Sequence, residues 1–227
     1  MAAPLPLPAV ASPSGAEDAS SRLTLQIHAS ALEPLGPLLA LAAGLGAASI
    51  AALDAIMRPN ALAAHIHSVA AYVVSRELMP LVVTVILALR SAPSIAVDLA
   101  LRPPAPRRAE RAILTGAALA LALSGVGLVV WMSAAAFLGG FFVIALAGLT
   151  PVGLRLPDIL AEISLGTLAV SLGKAALAGA AIGLASAHAG LANASNAPRA
   201  AARAGSLGLF GGVAINLAVS LAPLAPL

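Results

Sequence analysis

The sequence has no cysteine and few charged residues, and both shortages limit what the protein can be. Without cysteine it forms no disulfide bond, holds no metal through thiolates and has no cysteine nucleophile. Only 9% of the residues are charged and 60% are hydrophobic, whereas soluble domains carry about 25% charged residues. A chain this poor in charge cannot cover a surface that faces water, so the composition predicts an integral membrane protein.

Strict alternation of polar and apolar residues is also missing, which argues against a transmembrane β-barrel. The apolar residues instead form continuous runs, four of them long enough for helices of about 20 residues that cross a bilayer. These four runs cover roughly 35–56, 78–101, 168–190 and 205–224, and a fifth, at about 112–148, is longer than one crossing needs.

The distribution of arginine indicates that the fifth run crosses the membrane once. Segment 102–111 holds four arginines and one glutamate, and segment 193–205 holds two arginines and no acidic residue. A single crossing puts both segments on one side, which their positive charge predicts to be the cytoplasmic side. The surplus, about 136–162, is then expected as a partly buried hairpin or helix on the outer side. We therefore predict an all-α polytopic membrane protein with about five transmembrane helices and a cytoplasmic N-terminus.

The beginning of the chain differs from the rest. Residues 1–30 are interrupted by prolines and lack the basic region that opens a signal peptide. We expect a disordered or interfacial segment over 1–30 and a transmembrane domain over 31–227. Segment 58–77, less apolar than the runs beside it, is expected as an outer-side helix that leads into the second span.

Several ionisable residues lie inside or beside the apolar runs, where a charge costs a few kcal/mol and suggests a function. Glu77 and Arg90 are separated by roughly 20 Å along a helix and cannot pair directly. Arg90 and Asp98 are predicted to join Ser91 in an intramembrane polar network that fixes helix packing. Arg76 and Glu77 fit either a snorkelling interfacial ion pair or the wall of a cavity.

Lys174 allows the same two interpretations, because a lysine stem can reach an interface. It lies in an apolar run that carries a pair of glycines four residues apart, Gly179 and Gly183, and the last run carries a second pair, Gly208 and Gly212. Such pairs predict close packing of helices, within one chain or between two copies.

The segment SRELMPLVVTVILALRSAPSIAVDLA, residues 75–100, resembles the signature of MlaE-type permeases, the membrane subunits of lipid-transporting ABC systems. Those permeases begin this signature with Arg-Glu-x-Gly-Pro, which Arg76, Glu77 and Pro80 match, while Met79 replaces the glycine. A later part of the signature is matched by Arg90, Ser91, Ile95 and Ala96, with Asp98 in place of glutamate. Lys174 lies where the family has a lysine in a later span, and the resemblance runs in order over about 35–224.

The resemblance implies a permease subunit that moves a phospholipid or a similar hydrophobic molecule across the bacterial inner membrane. It implies three protein partners: a separate cytoplasmic ABC ATPase, an MCE-domain protein, and a second permease subunit in a homodimer or heterodimer. Arg76, Glu77 and Lys174 are the implied substrate path. The chain has no P-loop motif, so it is not expected to be an enzyme, and we expect neither a cofactor nor a bound nucleic acid.

One departure from the family leaves an alternative open. The family has a cytoplasmic helix after the second span that docks the ATPase, and this chain has a shorter, proline-rich segment there. Arg107, Arg108 and Glu110 are the remaining candidates for a loop that faces the ATPase. The alternative is a degenerate permease-like scaffold subunit of a heteromeric complex, without its own ATPase contact.

Two further patterns suggest other chemistry only weakly. Ser124 and His188 would form the dyad of an intramembrane serine protease, but the glycine that leads the family motif is missing. His65 and His67 resemble a metal-binding pair, yet side chains two apart on a helix diverge and no carboxylate lies beside them. We expect no metal site.

Overall fold

The regular structure is helical throughout the part of the chain that is described. The computed structural model describes residues 35–57, 59, 65–102, 107–146 and 163–222. Five of its helices are long and apolar enough to cross a membrane, which confirms the all-α polytopic fold. The expected N-terminal segment over 1–30 lies outside the described residues.

Four of the five spans are single helices: α1 (Leu35–Met57), α5 (Arg107–Leu146), α6 (Leu165–Ala192) and α7 (Ala197–Leu221). The second span is a continuous helix made of five pieces. In chain order these pieces are α2 (Ile66–Tyr72), a first π segment (Val73–Leu78), α3 (Met79–Ile86), a second π segment (Leu87–Ser91) and α4 (Ala92–Ala100).

The long apolar run forms one helix, α5, and the surplus expected over 136–162 as a hairpin or a helix is helical in its first part. The helix continues to Leu146, and residues 147–162 lie outside the described residues. The physical reason is that Gly139 and Gly140 serve helix packing rather than a turn. A Cβ built on Gly139 would lie 2.2 Å from the Cβ of Ala43 in α1, so the glycine lets the two helices touch.

The basic segment 193–205 is mostly helical. The side chain of Asn196 caps α7 by accepting the N–H of Arg199 at 3.2 Å, as N-cap residues do. The preceding turn packs on the second span, because the N–H of Ser195 donates to the carbonyl of Ala100 at 2.9 Å. Both basic segments therefore adjoin the same end of the helix bundle.

Helix α6 lies at the centre of the bundle, in contact with α5, α7 and the second span. Its two paired glycines permit this, because a Cβ on Gly179 or Gly183 would lie 2.3 Å from a backbone oxygen of α5. Small residues at such positions allow backbones to approach closely. The glycine pair of α6 thus packs within one chain, and the central position of α6 buries the side chains that it points at the second span.

Candidate functional site: a buried ion cluster

The site begins with a proline that interrupts the backbone hydrogen bonds of the second span. The last bond of the first π segment runs from the N–H of Met79 to the carbonyl of Val74. The next residue, Pro80, has no N–H to offer the carbonyls four and five residues before it, those of Arg76 and Ser75. Carbonyl groups inside an apolar bundle need donors from elsewhere.

Those donors come from side chains of α6. Ser171 Oγ donates to the carbonyl of Ser75 at 2.7 Å, and Lys174 Nζ donates to the carbonyl of Arg76 at 3.0 Å. The two donors are three residues apart and therefore share one face of α6. Helix α6 thus supplies side-chain donors to the two carbonyls that Pro80 cannot bond.

Lys174 makes two further contacts and is almost completely buried. Its Nζ lies 2.7 Å from Glu77 Oε2 and 2.7 Å from Ser220 Oγ of α7. The ammonium group has three protons, and with the carbonyl of Arg76 it has three acceptors from two other helices. Lys174 is 1% exposed, so its charge is neutralised inside the protein and does not snorkel to an interface.

Glu77 connects this ammonium group to a second cation. Its other oxygen, Oε1, lies 3.5 Å from Nε of Arg76, and the Arg76 guanidinium carbon lies 4.9 Å from the centre of the Tyr72 ring. The side chain of Glu77 is 34% exposed and that of Arg76 only 8%. Two cations and one anion give this group, which we call the ion cluster (Arg76, Glu77 and Lys174), a formal net charge of +1.

Helix α7 adds polar residues that the sequence analysis missed. Ser220 Oγ lies 2.6 Å from Glu77 Oε2, and Asn216 Nδ2 donates to Thr84 Oγ1 of α3 at 2.7 Å. Asn216 and Ser220 follow Gly212 at intervals of four, so all three lie on one face of the last span. Polar residues at helical spacing in an apolar run were the signal available for them.

In the described part of the chain, Asp98 and Ser91 do not make the predicted network with Arg90. Asp98 pairs with Arg102, one turn later on the same helix, where side chains four residues apart are neighbours. The buried hydroxyl of Ser91 has no hydrogen-bond partner among the described residues, and Arg90 is exposed on the bundle surface. The contact with Arg102 is local, whereas Arg90 is eight residues from Asp98.

The proposed ATPase-facing residues are helical rather than part of a loop. Arg107, Arg108 and Glu110 occupy the first turn of α5, and the side chains of the two arginines lie outside those described. Glu110 is partly buried, and an acidic side chain in a first helical turn interacts favourably with the helix dipole.

The protease dyad and a metal site find no structural basis in the described residues. Ser124 Oγ is buried with no hydrogen-bond partner, while His188 is exposed. The part of the chain that is described contains no group of three His, Asp or Glu side chains placed to hold a metal ion.

The fold and the ion cluster define a multi-pass helical membrane protein with ionised side chains held between three of its spans. Comparison of the chain with protein-family models and with curated proteins finds no match. The likeness to MlaE-type permeases therefore rests on the motifs given above.

Proposed function

We propose that the chain is the permease subunit of an ABC-type transporter for phospholipids or similar hydrophobic molecules. The observation that carries the proposal is the ion cluster, in which Lys174 Nζ lies 2.7 Å from Glu77 Oε2 inside a bundle of five spans. Ionisable side chains inside membrane spans are rare, face the bundle interior or a cavity, and mark substrate or ion pathways. The motifs around these residues resemble those of the lipid permeases.

A phospholipid needs apolar walls for its acyl chains and charged groups for its head group. In this proposal the bundle supplies the walls, and the net positive charge of the ion cluster attracts the phosphate. Glu77, the most exposed member, keeps both cations ordered when no lipid is bound. A separate ATPase would drive a population shift between two packings of the chamber.

The proposed orientation follows from the two basic segments. They adjoin one end of the bundle, where Ser195 contacts Ala100, and arginine-rich ends favour the cytoplasm. Lys174 lies in the opposite half, nearer the beginning of α6. The N-terminus is then cytoplasmic, the ion cluster lies in the outer half of a bacterial inner membrane, and an MCE-domain protein and a second permease subunit complete the assembly.

Reversal of the charge at the centre of the cluster tests the proposal. Glu77→Lys places three cations together, and we expect it to abolish ATP-dependent movement of a fluorescent phospholipid in membranes that contain the assembled complex. The amount of inserted chain should stay comparable, and Asp98→Asn, which alters an exposed pair on the same span, should transport normally. Wild-type transport by the Glu77→Lys chain would contradict the proposal.

One observation favours the scaffold alternative. Only residues 101–106 separate the end of the second span at Ala100 from the start of α5 at Arg107, which leaves no room for the docking helix that the family has there. Cross-linking from position 110 discriminates between the two proposals. Adducts with a cytoplasmic ATPase support the permease, whereas an ATPase that cross-links only to the other subunit of a heterodimer supports the scaffold.

A further inference from the structure

Lys174 makes contacts that go beyond attraction of a head group. Its three protons have three acceptors within the chain, and one of these is a backbone carbonyl, that of Arg76. A side chain that is 1% exposed and has no spare proton cannot bind a further ligand without breaking one of these bonds. All three contacts of Lys174 Nζ therefore point to a structural role within the chain.

This role depends on Pro80, which lies four residues after Arg76. In an uninterrupted α-helix the carbonyl of Arg76 would accept the N–H of residue 80, and Pro80 has none. Lys174 Nζ occupies the place of that donor at 3.0 Å, and Ser171 Oγ does the same for the carbonyl of Ser75 at 2.7 Å. Two adjacent carbonyls affected by one proline thus both receive side-chain donors from one face of α6.

We infer that Lys174 is a positioning residue that replaces the backbone donor missing at Pro80 and, through the same ammonium group, fixes the carboxylate of Glu77. Because both bonds originate from one nitrogen, the π-helical shape of the backbone and the orientation of the Glu77 side chain depend on each other. Without Lys174, the Glu77 carboxylate would lose its ammonium partner, and the carbonyl of Arg76 would lose its side-chain donor.

A double-mutant cycle between α6 and the second span tests this link. In the purified full-length chain, Lys174→Met removes the donor and leaves Glu77 without its ammonium partner, and we expect the Tm to fall by about 10 °C. Pro80→Ala restores a backbone N–H. Alone it should change the Tm little, because the carbonyl of Arg76 already has a donor, but in the Lys174→Met background it should recover about 3 °C.

Pro93→Ala is the matched control, because Pro93 occupies the same position after the second π segment, while Lys174 donates to the carbonyl four residues before Pro80. It should recover nothing in the Lys174→Met background. Hydrogen–deuterium exchange supplies a second measurement: the Lys174→Met change should raise exchange in peptides that cover the first π segment, and Pro80→Ala should lower it again.

Equal effects of Pro80→Ala in the wild-type and Lys174→Met chains would overturn the inference, as would equal recovery by Pro93→Ala. If Lys174→Met yields no folded protein, the milder pair Ser171→Ala and Ser171→Ala/Pro80→Ala carries the same test, with an expected loss of about 3 °C that the second change cancels. These measurements need neither lipid nor ATPase, so their outcome is independent of whether the chain transports phospholipid.

Discussion

The two π segments of the second span share a local plan but lie in different surroundings. Each contains an arginine, Arg76 or Arg90, and each is followed by a proline at the second position of the next α-helix. Arg76 is 7% exposed and belongs to the ion cluster, whereas Arg90 is exposed on the surface of the bundle. The same sequence pattern therefore produces a buried charged site in one half of the span and a surface charge in the other.

The difference comes from what the neighbouring helices place opposite each proline. Beside Pro80, α6 presents Ser171 and Lys174, which donate to the exposed carbonyls. Beside Pro93, α7 presents Gly205, whose Cβ would lie 3.7 Å from the Pro93 ring and 3.8 Å from the carbonyl oxygen of Ala88. A proline removes a backbone donor. The residues of the partner helix determine whether a charged side chain takes the place of that donor.

The largest predicted contrast concerns the two carboxylates of the span. Glu77→Gln leaves Lys174 buried without a charge partner and should lower the free energy of unfolding by about 3 kcal/mol, at the low end for a buried pair because Glu77 is 34% exposed. Asp98→Asn disrupts an exposed pair with Arg102 and should cost less than about 1 kcal/mol. Thermal unfolding of both chains in one detergent measures the difference, and equal losses would contradict the contrast.

A smaller contrast is expected between two glycines of α7, one beside each half of the span. A Cβ on Gly212 would lie 2.5 Å from the Thr84 methyl group, so Gly212→Ala should destabilise by about 1–3 kcal/mol through overpacking.

At Gly205 the nearest atoms are 3.7 Å and 3.8 Å away, so Gly205→Ala fits without a clash. It should be neutral or stabilise by up to about 1 kcal/mol, because glycine is a poor helix former. The same unfolding measurement applies to both variants, and a larger loss at Gly205 than at Gly212 would show that the packing of α7 is misassigned.

The smallest contrast concerns two serine hydroxyl groups. Ser220→Ala removes one of the three acceptors of Lys174 Nζ and should cost about 1–2 kcal/mol. Ser91 Oγ is buried and has no partner in the residues that the structure describes, so Ser91→Ala should be neutral or slightly stabilising. Denaturation in mixed micelles resolves differences of this size, and a costly Ser91→Ala would reveal a bond in the second half of the span.

Much of the fold was predictable from the sequence. The asymmetry of arginine correctly predicted that the run now seen as α5 crosses once, because basic segments tend to stay on one side of a membrane. The surplus over 136–162 was expected as a hairpin or a helix, and its first part is helical to Leu146, where Gly139 and Gly140 pack against α1. Only the tertiary structure distinguished the two, because glycine permits a turn as well as close helix packing.

The candidate site was predictable in its charges but not in its bonds. Arg76, Glu77 and Lys174 were singled out because ionisable residues are costly in a membrane span. Ser171 was missed, since a serine in an apolar run is unremarkable without its neighbour, and Ser220 was missed although it lies at helical spacing from Asn216. Asp98 was expected to join Arg90 and Ser91 in a polar network, and its contact with Arg102, only one turn away, was missed.

The amino-acid sequence alone determined that this chain is a helical membrane protein of about five spans, because its apolar runs and scarce charges leave no other stable arrangement. The sequence also places Pro80, which has no N–H, inside the second span. Only the tertiary structure decided that Lys174 and Ser171 donate to the carbonyls of Arg76 and Ser75 and that Glu77 pairs with both cations. The physical reason is that the bonds of Ser171 and Lys174 to the second span join residues 96 to 98 positions apart, so they depend on how α6 packs against that span.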